Sequence, residues 1–282
     1  MPLAGDLEAK LAHSLAEVQM YRNMAAELGL ELMPGANVLD FGCGDGGTVL
    51  QFRRQGFRSY GIDIVPGFEQ CMRLCRQEEL AKPGEEPCRL VSLDDYWIPF
   101  EDNLFDFIWS NQVFEHVQNY AEAFREMSRV LRPGGFGIHV FPSRYTPIEP
   151  HRYVPMATIW RSRPYLKFWA RLGVRNPYQR GQTADVIAES NARYLANNTN
   201  YLTKRELLEV VGLYFSQIDF IPGVFGKHCF GRKRLIYRVA AKLPFGNWLT
   251  NTLFQRVLLV RRPLVASSPA EATEEVHLCR AG

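Results

Sequence analysis

Apolar residues along the first 142 positions alternate between a helical period and short unbroken runs. A helical period covers residues 7–29 and stops at Gly29. The short runs predict five strands and the periodic segments between them predict helices, because the two patterns differ in period. Strands that alternate with helices favour a parallel sheet with crossover helices on both faces. The predicted strands are 38–41, 59–64, 88–92, 105–110 and 136–141, and the predicted helices are 47–55, 68–79 and 120–131.

The alternation breaks off after residue 142 and returns at residue 203. Residues 143–202 are rich in Pro, Arg and aromatic residues without a long period, which predicts an α-rich or irregular cap inserted after strand five. Thr203 and Glu206 form the N-cap signature of a further helix. Two more strands are predicted after that helix, at 215–221 and 256–260.

Together these segments predict an α/β fold with a doubly wound, Rossmann-like sheet of seven strands. The core is assigned to residues 1–142 and 203–264, with a basic insertion at 224–250. Residues 265–282 are small, polar and acidic, which predicts a disordered tail.

The composition indicates a globular protein that neither spans a membrane nor is secreted. Hydrophobic residues make up 46% and charged residues 22% of the 282 positions. No apolar run approaches the roughly 18 residues of a spanning helix, and the N-terminus lacks the basic and apolar regions of a secretory signal. The cysteines form no CxxC pair, which favours reduced thiols and a cytoplasmic location.

The net charge of +3 conceals a division along the chain. Residues 1–140 hold 12 Lys and Arg against 21 Asp and Glu, whereas residues 141–265 hold 20 against 6. We therefore expect the two parts to face different ligands.

Basic and apolar residues are interleaved most densely in the basic insertion, where residues 232–242 are predicted to form a helix. Leu235, Ile236, Val239 and Ala240 share one side of that helix. This side either packs on the core, as in an ordinary surface helix, or belongs to a basic amphipathic surface that lies on an anionic membrane or binds an anionic ligand. The sequence leaves these alternatives open.

A glycine-rich stretch, VLDFGCGDGG, runs out of the first predicted strand. Gly42, Gly44 and Gly47 satisfy the spacing G-x-G-x-x-G, and Asp63 follows about twenty residues later. This spacing alone fits the nicotinamide dinucleotide site of an oxidoreductase. Asp40 favours another ligand, because a carboxylate at the mouth of the loop repels a pyrophosphate and suits a sulfonium or ammonium group. S-adenosylmethionine carries both cations.

Four motifs in order resemble the class I S-adenosylmethionine-dependent methyltransferases, of the type that acts on small molecules and saccharides. VLDFGCGDGG is similar to their first motif, and YGIDIV to the second strand, which ends in a ribose-binding acid. LDDYWIPFEDNLFDFIWSNQVFEHV is similar to the region of strands three and four, and LRPGGFGIHVF to the turn before strand five. The resemblance implies S-adenosylmethionine as the cofactor and S-adenosylhomocysteine as the product.

The resemblance also implies which residues bind the cofactor. Asp40 and Gly42 correspond to positions near the methionine amino group, Asp63 to the residue that binds the ribose hydroxyls, and Ile64 to a residue that packs on the adenine. The loop after strand three usually meets the adenine amino group, and the end of strand four usually meets the methionyl group. The expected cofactor-binding residues are Asp40, Phe41, Gly42, Cys43, Gly44, Asp63, Ile64, Asp94, Asp95, Ser110 and Asn111.

Methyl transfer needs an aligned acceptor and, for a hydroxyl acceptor, a group that removes a proton. One candidate is His116, in the segment FEHV, which the resemblance puts where the methyl group is expected. Another is His151, in PIEPH after strand five, where Glu149 can orient the imidazole. For each histidine, the alternative to removing a proton is a purely structural role. No metal is expected, because quinone-related relatives with a metal have another acid upstream of Glu-His, where this chain has Gln112.

The favoured acceptor is a small molecule or glycan, with O-methylation of a sugar in polysaccharide biosynthesis as the first interpretation. The inserts after strand five and before the last strand loosely resemble those of bacterial methyltransferases that act on saccharides. A lipid, quinone or lipid-linked acceptor is an alternative, with the protein peripheral on the inner face of a membrane. A nucleic-acid acceptor is disfavoured, because SNQVFEH lacks the Asn/Asp-Pro-Pro-aromatic motif of base methyltransferases.

Overall fold

The computed structural model describes residues 4–92 and 96–263, and seven strands in these ranges form one mixed sheet. Their order across the sheet is β3-β2-β1-β4-β5-β7-β6. The doubly wound α/β fold predicted from the sequence is confirmed. The strands are β1 (Asn37–Phe41), β2 (Arg58–Asp63), β3 (Cys88–Leu90), β4 (Phe105–Asn111), β5 (Leu131–Pro142), β6 (Phe215–Phe220) and β7 (Gln255–Pro263).

Helices cover both faces of this sheet, and the predicted N-cap of the helix that begins at Lys204 is confirmed. The Thr203 hydroxyl accepts a hydrogen bond from the Glu206 N–H at 3.2 Å, and the Glu206 carboxylate accepts one from the Thr203 N–H at 2.7 Å. The helices of the described ranges are α1 (Ala4–Glu27), α2 (Gly47–Arg54), α3 (Glu69–Gln77), α4 (Tyr120–Val130), α5 (Arg163–Arg171), α6 (Ala184–Asn197), α7 (Lys204–Val211), α8 (Pro222–His228), α9 (Arg232–Ala240) and α10 (Gly246–Leu253), with one-turn 3-10 helices at Phe114–His116 and Pro177–Gln179.

The parallel pairing predicted for the first five strands is confirmed, and the sheet as a whole is mixed. Strands β1 to β5 pair in parallel, whereas β7 lies between β5 and β6 and runs antiparallel to both. Because β6 and β7 are neighbours joined by short helices, their connection needs no right-handed crossover. β5 also starts earlier than predicted: Leu131 pairs with Phe105 before an irregularity in register.

Alternate residues of the central strands fill two cores, one on each face of the sheet. On β7, Val257 and Leu259 pack in the core that includes α1 and α8, while Leu258 and Val260 pack in the core that includes α4 and α7. Burial on both faces explains why the strands read as unbroken apolar runs. It also fixes the carboxyl ends of β1, β2 and β4 along one edge, where the glycine-rich loop lies.

The segment between β5 and α7 packs around a small core of its own and is fastened to the end of β4. The Asn200 N–H donates to the Glu115 carbonyl at 2.7 Å, and the Asn200 side-chain amide donates to the Val117 carbonyl at 3.1 Å. The division into a cap at 143–202 and a basic insertion at 224–250 stays a prediction. The buried residues of the small core are Val154, Ala157, Leu166, Ala188 and Leu195.

Three further predictions concern the C-terminal tail, membrane-spanning helices and the cysteines. The predicted disordered tail at 265–282 lies outside the described residues, as does Cys279. None of the helices between residues 4 and 263 combines the length and the apolar character that a membrane crossing requires. Free, buried thiols are found at Cys43, Cys71, Cys75, Cys88 and Cys229.

Candidate active site

The glycine-rich loop between β1 and α2 contains backbone that only glycine fits. Gly42 has a φ of +85°, and a Cβ atom there would lie 2.4 Å from Cγ2 of Val113. Gly44 has a φ of +55°, and its N–H donates to Oδ2 of Asp63 at 2.7 Å. Bare backbone therefore joins the ends of β1 and β2 and leaves room for a ligand to approach the loop closely.

Two cavities adjoin this loop and share Gly42, Gly44 and Asn111 among their lining residues. One, of about 440 Å³, also reaches Asp40 and the side chains of α1. The other, of about 470 Å³, also reaches Asp63 and the 3-10 helix after β4. A ligand that spans both cavities would contact Asp40 near one end and Asp63 further along.

Asp63 closes β2, and two backbone N–H groups hold its carboxylate. Gly44 donates to one oxygen at 2.7 Å, and Val65 donates to the other at 2.9 Å. A carboxylate has about four acceptor positions, so two remain for hydroxyl groups of a ligand. Ile64 lies beside it, 44% exposed, on the wall of the larger cavity.

The smaller cavity is strongly acidic. The buried Asp40 carboxylate accepts a hydrogen bond from the Thr48 hydroxyl, and Glu17 of α1 accepts one from the Asn111 amide. Burial raises the pKa of Asp40 well above its ordinary value, the Thr48 hydrogen bond opposes this, and the charge of Glu17 adds to it. Burial likewise raises the pKa of Glu17. A cationic ligand would favour the ionised form of both carboxylates.

A second group of titratable side chains adjoins the larger cavity. His116 lines that cavity, and its Nε2 lies 3.2 Å from Nε2 of His151. Nδ1 of His151 donates to Glu149 at 2.9 Å, and Nδ1 of His116 donates to the carbonyl of Asn198 at 2.7 Å. The structure therefore brings the three predicted catalytic candidates into one row, although the two histidines are 35 residues apart in sequence.

Glu149 is buried and surrounded by hydrogen-bond donors. Its carboxylate accepts from the N–H groups of His151 and Arg152, at 3.0 and 2.6 Å, and from the Tyr201 hydroxyl at 2.9 Å. Burial on its own would raise the pKa of Glu149, but hydrogen bonds from His151, Arg152 and Tyr201 hold it below the ordinary value. Burial lowers the pKa of His116. Near neutral pH, the row therefore pairs an ionised carboxylate with an uncharged His116.

Glu115 adds a further acid to this row. Its side chain is 1% exposed, and neither carboxylate oxygen accepts a hydrogen bond from another residue of the described ranges. Burial raises the pKa of Glu115 to about 7. Ligand atoms of Glu115, His116 and His151 all lie within 4.8 Å of one another, a set that could hold a metal ion.

Comparison with known proteins identifies the segment that carries the glycine-rich loop, Asp63 and His116. Residues 39–138, from β1 into β5, match the family model of the methyltransferase domain. The chain contains a class I S-adenosylmethionine-dependent methyltransferase domain. The match decides between the two cofactors that the glycine spacing left open, in favour of S-adenosylmethionine over a nicotinamide dinucleotide.

Relatives of the methyltransferase domain include enzymes named for lipid acceptors. The chain is 33% identical to a sterol 4-C-methyltransferase of Caenorhabditis elegans in an alignment of 107 residues, which covers 38% of this chain and 31% of the relative. It is 33% identical over 122 residues to the 2-methyl-6-phytyl-1,4-hydroquinone methyltransferase of Synechocystis sp., over 43% of this chain and 36% of the relative. The chain thus spans about a third of the length of these curated relatives.

Solved methyltransferase structures are more distant. A geranyl diphosphate C-methyltransferase from Streptomyces coelicolor A3(2) is 18% identical with a TM-score of 0.48, over 90% of this chain and 80% of that one.

Eight of the eleven cofactor-binding residues expected from the sequence line one of the two cavities. Of the other three, one is buried away from the cavities and two lie outside the described residues. Ser110 is fully buried, and its hydroxyl lies 2.9 Å from Nδ1 of His139, away from the cavity walls. Asp94 and Asp95 lie outside the described residues. The expected residues that line a cavity are Asp40, Phe41, Gly42, Cys43, Gly44, Asp63, Ile64 and Asn111.

Sequence reasoning missed several side chains of the methyltransferase site. Glu17 comes from α1, and nothing in the helical period of that segment marks it as part of a ligand cavity. Tyr201, which donates to Glu149, lies in the segment that showed no clear period. Glu115 was visible in the Glu-His pair of FEHV, but its burial without a partner is a property of the tertiary structure.

Proposed function

We propose that this chain transfers the methyl group of S-adenosylmethionine to a hydroxyl group of an acceptor presented at an anionic membrane surface. The observation that carries this proposal is the row Glu149–His151–His116, because its outer member lines the same cavity as Asp63. In the reaction the hydroxyl loses its proton, an oxygen–carbon bond forms, and the carbon–sulfur bond breaks to leave S-adenosylhomocysteine.

The cofactor occupies both cavities in this proposal. Its methionine end lies over the loop near Asp40 and Glu17, where buried acids suit the ammonium and sulfonium charges. Its ribose hydroxyls bind the free acceptor positions of Asp63, and its adenine packs on Ile64. Support comes from the shared lining of the two cavities and from the backbone donors that fix the Asp63 carboxylate.

The acceptor hydroxyl meets the protein beside His116 and His151. We assign these two histidines and Glu149 to the centre at which the hydroxyl loses its proton. An ionised Glu149 accepts the Nδ1 proton of His151 and so fixes the tautomer of the ring, an arrangement common to proton-transfer and metal centres. Support comes from the lowered pKa of Glu149 and from its hydrogen bond to Nδ1 of His151.

The proposal covers two chemical classes of acceptor, a sugar and a lipid. A sugar hydroxyl in polysaccharide biosynthesis was the first interpretation of the sequence. The relatives named for sterols and for a phytyl hydroquinone favour a lipid or quinone. A lipid-linked glycan would combine the two.

A membrane presents such an acceptor, and one surface of the chain is suited to dock there. The sequence left open whether the apolar side of α9 packs on the core, and most of it does not: Leu235 is 68%, Ile236 40% and Val239 54% exposed. Ala240 of that side and the neighbouring Tyr237 are buried and hold the helix. Basic side chains are exposed among the apolar ones. We call this the α9–α10 surface: Arg234, Leu235, Ile236, Arg238, Val239, Lys242, Leu243, Phe245 and Trp248.

Phe245 at the start of α10 gives the α9–α10 surface a strained, exposed aromatic tip. Its backbone has a φ of +64°, and its side chain is 82% exposed. The left-handed region is unfavourable for an aromatic residue, and exposure of the ring to water adds no stability. Insertion of the ring into a lipid surface gives this position a use, and the basic neighbours complement anionic headgroups.

Methyl transfer from labelled S-adenosylmethionine tests the proposal. We expect transfer to a quinol, a sterol or a lipid-linked glycan in anionic vesicles, and a loss of turnover of about 100-fold or more in His116→Ala or His151→Ala with S-adenosylhomocysteine affinity retained. Transfer at full rate by both variants would rule out the assigned centre. Transfer to a soluble nucleotide sugar alone, with no dependence on vesicles, would rule out presentation at a membrane.

A further inference from the structure

The partners of the two imidazole rings determine where their protons lie. A carbonyl and an ionised carboxylate are acceptors, so the Nδ1 atoms that contact Asn198 and Glu149, at 2.7 and 2.9 Å, carry the protons. In the neutral rings both Nε2 atoms then present lone pairs, and they face each other across 3.2 Å. Two facing lone pairs repel, so this arrangement favours a positive charge bound between or beside them.

Glu115 contributes a buried carboxyl group to the same place. Its carboxylate is nine-tenths or more buried and has no hydrogen bond from another residue in the described ranges. An ionised carboxylate buried without a partner costs several kcal/mol. One of its oxygens, one nitrogen of His116 and one nitrogen of His151 all lie within 4.8 Å of one another. A buried carboxyl group without a hydrogen-bond partner and two imidazole lone pairs therefore converge on one place.

The spacing of the two nitrogens suits a coordinated ion. A divalent ion about 2.1 Å from each nitrogen, the usual zinc–nitrogen distance, makes an N–metal–N angle of about 100° when the nitrogens are 3.2 Å apart. That angle lies close to both tetrahedral and octahedral geometry.

The surroundings of both rings have the pattern that orients metal ligands. His151 donates its second N–H to a carboxylate, and His116 donates its second N–H to a backbone carbonyl. Metal-ligating histidines almost always donate this second N–H to a carboxylate, a backbone carbonyl or water, because the contact fixes the tautomer and raises the basicity of the ligating nitrogen. The Tyr201 hydroxyl and the Arg152 N–H hold the Glu149 carboxylate in turn.

We infer that Glu115, His116 and His151 bind one divalent transition-metal ion, with a coordination position open to the larger cavity. Two imidazoles and one carboxylate suit Zn²⁺, Co²⁺ or Fe²⁺, whereas Mg²⁺ and Ca²⁺ prefer oxygen ligands alone. Three protein ligands leave at least one position free, as in catalytic rather than structural zinc sites.

This inference revises the expectation of no metal. That expectation rested on Gln112, which stands where metal-binding relatives have an acid. The Gln112 side-chain amide donates to the Gln255 side chain at 2.6 Å and is not one of the three residues whose ligand atoms converge. The third ligand is instead His151, which follows β5 and reaches the site only through the fold.

The role of the ion rests on the proposed function, whereas the site itself does not. The acceptor oxygen occupies the open position, where the ion lowers the pKa of its hydroxyl and the proton passes to water. The oxygen then attacks the methyl carbon, and sulfur keeps the electron pair of the broken carbon–sulfur bond. His116 and His151 act as ligands in this step, and Glu149 is a positioning residue for His151.

Cobalt binding tests the site without cofactor or acceptor. The full chain is stripped with a chelator, dialysed and titrated with Co²⁺, with visible absorption as the signal and Zn²⁺ as the competitor. We expect one equivalent to bind. Glu115→Gln and His151→Ala should each weaken binding by about 100-fold or more, and Glu149→Gln by about 10–100-fold. Binding of no Co²⁺, or binding unaffected by these changes, would overturn the inference.

A matched control is available within the chain. His228 also pairs with a carboxylate, that of Glu27 at 2.8 Å, but lies outside the site. His228→Ala should leave Co²⁺ affinity unchanged, and an equal loss there would point to non-specific binding. Retained S-adenosylhomocysteine affinity in Glu115→Gln and His151→Ala checks that these variants are folded.

The two proposals fail in different ways. Stoichiometric Co²⁺ binding at these residues together with no methyl transfer to any acceptor would remove the proposed function and keep the metal site. Full methyl transfer in excess chelator, by a chain that binds no Co²⁺, would remove the metal site and keep the proposed function.

Discussion

Neutralising the basic residues of the α9–α10 surface should release the chain from anionic membranes. Arg234, Arg238 and Lys242 are exposed on this surface, and each basic residue near an anionic leaflet contributes about 1 kcal/mol. Changing all three to Gln should therefore cost about 3 kcal/mol, which is roughly a 100-fold fall in the vesicle partition coefficient. The measurement is flotation with vesicles that contain anionic lipid, at low and at high salt.

Salt and lipid composition separate this effect from apolar insertion. The Debye length falls from about 10 Å at 0.1 M to about 3 Å at 1 M ionic strength, so the difference between wild type and triple variant should shrink in high salt. Neutral vesicles should show little difference between the two proteins at any salt concentration.

An equal change of charge elsewhere serves as the control. Arg163, Arg193 and Arg205 have side chains 61%, 73% and 85% exposed and lie on α5, α6 and α7. Their change to Gln should leave partitioning nearly unaltered. If both triple variants lose binding equally, net charge alone is responsible, and the assignment of the α9–α10 surface is wrong. Negligible binding of wild type to either vesicle type would refute it outright.

Three further changes have outcomes that the structure specifies. Phe245→Gly should weaken partitioning into vesicles by up to about 30-fold at any salt concentration, because about 2 kcal/mol of insertion energy is lost. Urea unfolding should show equal or slightly higher stability of this variant, because glycine accepts a φ of +64°. A marked loss of stability would contradict this. Asp63→Ala should weaken S-adenosylhomocysteine binding about tenfold or more in calorimetry, because hydrogen bonds to a charged group contribute about 1.5–3 kcal/mol, and an unchanged affinity would exclude Asp63 as the ribose ligand. Burial of His139 lowers its pKa to about 3, below the value of the unfolded chain, so the stability it contributes is present above pH 6.5 and falls as the pH drops toward 3. Between pH 7 and 4.5 the free energy of unfolding should fall by about 3 kcal/mol more in wild type than in His139→Gln, and parallel pH profiles would show that His139 is not buried in neutral form.

The sequence determined the elements whose signals are local. An apolar run followed by glycines encodes β1 and the loop, because strand burial and positive φ values each restrict the residue at a single position. Thr203 and Glu206 specified the start of α7 in the same way, through hydrogen bonds that span three residues. Asp40 and Asp63 were predictable because each lies at the end of a strand that the pattern defines, at fixed spacing from the loop.

Tertiary structure decided which distant residues meet and which apolar faces find a partner. His116 and His151 belong to segments that the sequence treats separately, and only the return of the chain after β5 brings their Nε2 atoms to 3.2 Å. The direction of β7 depends on which strand it joins, and the residues of β7 read alike for either direction. On α9, Tyr237 is buried and Leu235 exposed, since burial depends on the neighbours available, and the hydrophobic pattern of a helix does not specify them.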